Sequence, residues 1–270
     1  MLSAGKLSPC ETYAPISAAF GLTALTWFRA AWLGAIVSLG LLIAASVSAE
    51  PIDSCTNTFE LSGVIADCTK IIESDWATDR QVKLAFNNRA GAHELLGDHY
   101  AAIDDYSRAL DIDPHYVTAL YNRGSVYLGI GKLELAIADL NAAVLIAPKR
   151  AEAYHNRGLA HLRLGDIAAA VADFKATLNI DPTLAPTHNN LGVALKRIGD
   201  NPAALTEFSR AIELMPDYAR ALNNRGEVYL SEHRYAEAAR DFSSVLAIDP
   251  GRAAAIRNLT IANEILRSGY

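Results

Sequence analysis

Five dipeptides, Asp113-Pro114, Ala147-Pro148, Asp181-Pro182, Met215-Pro216 and Asp249-Pro250, recur at intervals of 34 residues. Proline cannot continue a helix and pushes the residue before it away from helical angles, so each dipeptide closes one unit and opens the next. A constant period over 170 residues without an insertion restricts the chain to a repeat array, whose units bury their apolar faces against one another. The repeats are 83–116, 117–150, 151–184, 185–218 and 219–252.

Each block reads as two amphipathic helices. Block position 8 is Ala90, Gly124, Gly158, Gly192 and Gly226, and position 20 is Ala102, Ala136, Ala170, Ala204 and Ala238. These small residues let two helices approach closely, and the large residues at position 24, Tyr106, Leu140, Phe174, Phe208 and Phe242, are expected to fill the space so made. Gly97, Gly131, Gly165 and Gly199 stand where the first helix stops and a left-handed residue is favoured. Asp98, Asp166 and Asn201 are expected to cap the second helix, with Pro202 in its first turn. The fifth block has His233 where the others have glycine, which predicts a strained or altered turn.

The period, the small residues, the aromatic and the terminal proline resemble the tetratricopeptide repeat family, over five full repeats. The resemblance implies an all-α fold, a right-handed superhelical solenoid of helix-turn-helix repeats with a concave groove lined by the first helices. It also implies a C-terminal capping helix in 253–270, and Ala253–Arg267 reads as one. At the other end, Gly63–Ser74 reads as a second-type helix without a partner, so 50–82 is expected to be a capping half-repeat. A cysteine-bearing half-repeat before the array resembles the start of exported proteins of alphaproteobacteria.

Residues 30–49 contain no charge and follow Arg29, while Val47 and Ala49 suit a signal peptidase, so 1–49 reads as a signal peptide cleaved before Glu50. The same run is long enough for an uncleaved anchor, which would be the chain's one tie to a membrane. The stretch before Arg29 is long for a signal peptide, so the true start codon is expected downstream. The expected localisation is the periplasm, with inner-membrane anchoring as the alternative. There, Cys55 and Cys68 read as a disulfide, the other reading being two buried thiols.

Block position 6 is asparagine throughout: Asn88, Asn122, Asn156, Asn190 and Asn224, continued by Asn258. A carboxamide both donates and accepts, so a ladder of them can bond the main chain of an extended peptide. The competing reading has each asparagine bond a neighbouring helix and set the repeat spacing. Tyr121, His155, Leu159, Leu162, Val193 and Leu128 are expected to take apolar side chains of a partner. Arg163, Lys196, Arg197 and Arg220 make the middle repeats basic, against Glu94, Glu152, Glu227 and Glu264. Removing Lys6, Arg29 and Glu11 leaves 22 basic and 29 acidic residues in 50–270, net −7, so this local reversal of sign would steer an acidic segment into the groove. Arg89, Arg123, Arg157 and Arg225 stand at a normally apolar position. They are read as structural, their guanidinium groups reaching Asp105, Asp139, Asp173 and Asp241.

An acidic chain without a basic excess is not suited to a phosphate backbone, so no nucleic acid is expected. GxSxG, HExxH and a phosphate-binding loop are absent, and short turns leave little room for a pocket. The chain therefore reads as a binding module, not an enzyme, with no cofactor and no metal. Its expected role is a protein-protein interaction scaffold of the bacterial cell envelope, holding another protein or an extended peptide. The alternative is a membrane-anchored assembly component that uses its convex face or its cap.

Overall fold

The computed structural model describes Cys55 and residues 60–269. The expected signal segment with its cleavage point before Glu50 lies outside them. Among the described residues there are twelve helices and no strand: α1 (Leu61–Ile72), α2 (Asp79–Leu95), α3 (His99–Ile112), α4 (Val117–Gly129), α5 (Leu133–Ile146), α6 (Ala151–Leu164), α7 (Ile167–Ile180), α8 (Ala185–Arg197), α9 (Asn201–Leu214), α10 (Ala219–Ser231), α11 (Tyr235–Ile248) and α12 (Ala253–Ser268). One compact unit ends at Arg123 and a second begins at Gly124, within α4.

In the first unit α2 packs on both α1 and α3. Thr78 and Gln81 form a reciprocal capping box at the start of α2. Cys55, Cys68, Ile71 and Ala85 make a small buried cluster beneath α1. In the second unit each helix from α5 onward packs on the next, and the first helices α6, α8, α10 and α12 also touch in order. That row is the face on which the asparagines of this unit stand.

The expected small-against-large contact holds the pairs together. Tyr106, Leu140, Phe174, Phe208 and Phe242 are completely buried. A Cβ added to Gly158 would lie 2.8 Å from Phe174, and one added to Gly192 would lie 2.6 Å from Phe208. No real Cβ tolerates such distances, so the aromatic ring occupies the volume that glycine vacates.

The turns inside the blocks are built alike. Gly97, Gly131, Gly165 and Gly199 have φ of 80°, 78°, 86° and 83°, and His233 takes the same left-handed conformation at 61°. Its turn keeps the backbone bond pattern of the others, Arg234 N–H to Tyr229 O at 2.8 Å against Asp166 N–H to His161 O at 2.9 Å. The fifth turn is thus strained in its residue but not changed in shape. Asp98, Asp166 and Asp200 cap the second helices, each accepting an N–H at 3.2 Å. Asp200 takes the role expected of Asn201, which lies inside α9 with Pro202. Between blocks, the side chains of Asp113, Asp181 and Asp249 accept the N–H two residues on, which fixes the corner at each Asp-Pro.

The arginines at block position 7 act as rivets, as expected. Arg89, Arg157 and Arg225 hold Asp105, Asp173 and Asp241 in two-bond pairs of 2.6–2.9 Å. The bonded carboxylate raises each guanidinium pKa above its ordinary value, against the opposing effect of burial. The remaining Nη1 reaches the preceding second helix: Thr69 from Arg89, Asn141 from Arg157 and Ser209 from Arg225. Arg123 likewise donates to Ser107 at 2.9 Å. One side chain therefore ties together two successive second helices. The fourth block has Leu191 at this position, and its acidic residue Glu207 is met instead by His188 at 2.6 Å.

Two outcomes follow from this packing. Arg157→Ala leaves the buried Asp173 carboxylate without its partner and is expected to cost about 3 kcal/mol in urea unfolding, while Arg157→Ala with Asp173→Ala recovers at least half of that. His233→Gly relieves the left-handed strain and is expected to raise stability by about 0.5–1 kcal/mol, read as a higher thermal midpoint.

Candidate functional site

The first helices carry the asparagine ladder, and most of its carboxamides bond within the protein. In the first unit Asn122 bonds the Tyr106 hydroxyl, which in turn donates to Glu94 at 3.2 Å. Burial and the neighbouring Glu94 carboxylate push the Tyr106 pKa far above the ordinary tyrosine range. Burial also raises Glu94, opposed by the hydrogen bond from Tyr106. Asn88 accepts from Asn87 at 3.3 Å.

In the second unit Asn156 donates to Ser125 at 2.9 Å and Asn224 donates to Asn189 at 2.9 Å. Both bonds span successive first helices, which is the spacing role considered above. Asn190 accepts from Asn189 at 3.3 Å and is buried. Asn258 is half-buried on α12.

The basic residues also turn toward their neighbours. Arg163 donates to the Leu128 carbonyl at 2.7 Å and Arg197 to the Leu162 carbonyl at 3.1 Å. In each case a cation sits on a backbone carbonyl in the last turn of the preceding first helix, where the helix dipole favours it. Lys196 pairs with Glu227 on α10 at 2.7 Å. Both arginines remain solvent-exposed.

The apolar lining expected of the groove is corrected by the packing. Tyr121 is 6% exposed, and His155, Leu159, Leu162 and Leu128 are buried more deeply. Their side chains fill the core. His155 Nδ1 meets Thr187 Oγ1 at 2.8 Å, and its ring lies against Phe174. Val193 alone of the six keeps partial exposure. His93 and His161 are half-buried, with His161 3.6 Å from Asp166.

A residue the sequence reasoning passed over stands one place before the ladder. Asn223 is 4% exposed, donates to Glu227 at 2.8 Å, and its Oδ1 is buried without a hydrogen-bond partner. Asn87, at the same block position in the first unit, also has a buried Oδ1 without a partner. Block position 5 varies as Asn87, Tyr121, His155, Asn189 and Asn223, so no regularity marked it. The second unit also has an open depression of about 500 Å³, lined by His188, Leu205, Glu207, Arg210, Tyr229 and Arg234. Its charges are already paired, Arg210 with Glu213 and Arg234 with Glu237. Among the described residues no three His, Cys, Asp or Glu side chains converge as a metal site.

Comparison with known proteins agrees with this geometry. Tetratricopeptide repeat family models match residues 95–131, 124–165, 151–184 and 189–253, together more than half of the chain. No curated relative matches the chain significantly. Among solved structures the chain is similar to MamA, at 26% identity and a TM-score of 0.57 over 61% of this chain and 96% of that one. It is also similar to YrrB, described as a TPR protein with an unusual peptide-binding site, at 20% identity and a TM-score of 0.60 over 70% and 96%. A thermophilic TPR protein of Thermus thermophilus shares the fold at 22% identity, with a TM-score of 0.53 over 67% and 99%. The repeat chemistry, the helix pairing and these matches agree, and the chain belongs to the tetratricopeptide repeat family.

Proposed function

We propose that the chain is a non-enzymatic protein-protein interaction scaffold of the bacterial cell envelope, exported through its 30–49 segment, that holds an extended partner segment along its first helices. One observation carries this reading: the Arg163 and Arg197 side chains stand exposed on the first helices α6 and α8, each held in place by a backbone carbonyl of the preceding first helix. The site described for YrrB supports a peptide partner for this fold. Arg163 and Arg197 favour an acidic one, since a guanidinium with five N–H donors serves more than one acceptor.

Export is supported by the apolar run before Glu50 and by the approach of Cys55 to Cys68, both buried, with Cα atoms 5.1 Å apart. That separation suits a disulfide, which would tie α1 to the residues before it.

Affinity capture with the full chain tests the binding role. Arg163→Ala with Arg197→Ala removes both exposed guanidinium groups, so the chain is expected to remain folded by circular dichroism while captured protein falls at least tenfold. Undiminished capture by a folded chain carrying Arg163→Ala and Arg197→Ala would overturn the groove reading. Export is checked on protein recovered from the envelope fraction. The expected results are a mature N-terminus at Glu50 and, on reduction, a loss of about 2–3 kcal/mol in stability. An intact N-terminus retained in the membrane would point to the anchored alternative.

A further inference from the structure

The second helix of the second block differs from its counterparts on the side turned to solvent. Leu135, Ala138, Ala142 and Leu145 follow at spacings of three, four and three residues, the seam of a coiled coil. Leu145 is 83% exposed and Leu135 48%, with Ala138 exposed and Ala142 half-buried between them. The same four positions are Ala101, Asp104, Arg108 and Asp111 in α3, and Ala203, Thr206, Arg210 and Glu213 in α9. In α11 they are Glu237, Arg240, Ser244 and Ala247. α7 is uncharged there but has alanines and Asn179 in place of the leucines. Only α5 therefore presents a fully apolar seam, and Glu134 at its start is the one charge on that exposed side.

The order of residues on the seam names its occupant. Large, small, small, large at spacings of three, four and three reads the same in both directions. An antiparallel copy of α5 would set Leu135 against Leu145 and Ala138 against Ala142, the pairing of the first and fourth heptad positions in antiparallel coils. Such self-complementarity is what a two-fold contact between identical surfaces requires. The alanines let the helix axes come close, and the leucines close both ends. Charge selects the same place: two copies of a chain of net charge −6 repel, and an uncharged seam lets them meet without opposing carboxylates.

We propose that the α5 seam is a self-association surface, on which a second copy of this chain docks with its α5 antiparallel. It is separate from the first-helix face proposed for the partner segment, and four residue layers make it a weak contact, at the low end of interface sizes. The scaffold would then present two binding faces per particle.

The test is cysteine cross-linking of the full chain, co-expressing Leu135→Cys and Leu145→Cys versions in a bacterial host and treating lysates with a thiol-specific oxidant. In an antiparallel pair the two different positions meet, whereas identical positions lie about 15 Å apart along the helix, beyond disulfide reach. The expected result is a mixed covalent dimer that needs both versions, above the background of the unsubstituted chain with its native cysteines. Adding Ala142→Glu to both versions is expected to cut the yield at least tenfold. A dimer formed by either version alone, a mixed yield no higher than background, or a yield indifferent to Ala142→Glu would overturn the proposal. So would a Leu145→Cys thiol that resists maleimide labelling in the native full chain, which would show that another segment or partner covers the seam.

Discussion

The distance between the two helices of a pair is the constraint on which the array depends. At Gly158, Gly192 and Gly226 the helices approach so closely that a single added carbon would fall within 3 Å of the ring of Phe174, Phe208 or Phe242. That contact sets where each second helix lies, and so where the next first helix can pack. With a larger residue at position 8 the ring would have to move and the spacing between repeats with it, so the glycine and the aromatic act as one unit of packing.

On this frame the polar side chains divide between holding repeats together and facing outward. The arginine bridges use both ends of one guanidinium, a two-bond pair to an aspartate in one direction and a hydroxyl or amide acceptor in the other. They place a paired charge at the interface between repeats and reach two helices at once, a span that a lysine with its single nitrogen does not offer. The fourth block meets the same acidic position without an arginine: Leu191 stands at position 7, and His188 forms the hydrogen bond to Glu207. Lys175 stands where the preceding acceptor would be and would repel an arginine. Several residues that looked like groove contacts serve the same purpose. Arg163 and Arg197 close the ends of neighbouring helices, while Asn156 and Asn224 link them.

Much of the fold is legible in the sequence because it rests on local chemistry repeated five times. The prolines, the left-handed turn residues and the pairing of a small with a large residue each have a meaning that needs no knowledge of distant contacts. The site is less legible. Asparagine at position 6 is regular, and regularity is shared by binding and by spacing. Tyr121, Leu159 and Leu162 are apolar on a first helix, and whether such a residue lines a groove or fills a core depends on how far the neighbouring helix rotates. Asn223 gave no signal, because an unpartnered oxygen is a property of its surroundings and not of asparagine.

The sequence alone determined the period, the helix pairs, the turn positions, and the arginine-to-aspartate registry, since each follows from spacing along one chain. Tertiary structure decided which of the polar residues are used up. Hydrogen bonds between residues about 35 apart, such as Arg163 to Leu128 and Asn224 to Asn189, depend on the exact approach of one repeat to the next. Sub-ångström differences in that approach make or break a hydrogen bond, and a linear pattern of residue types does not carry them.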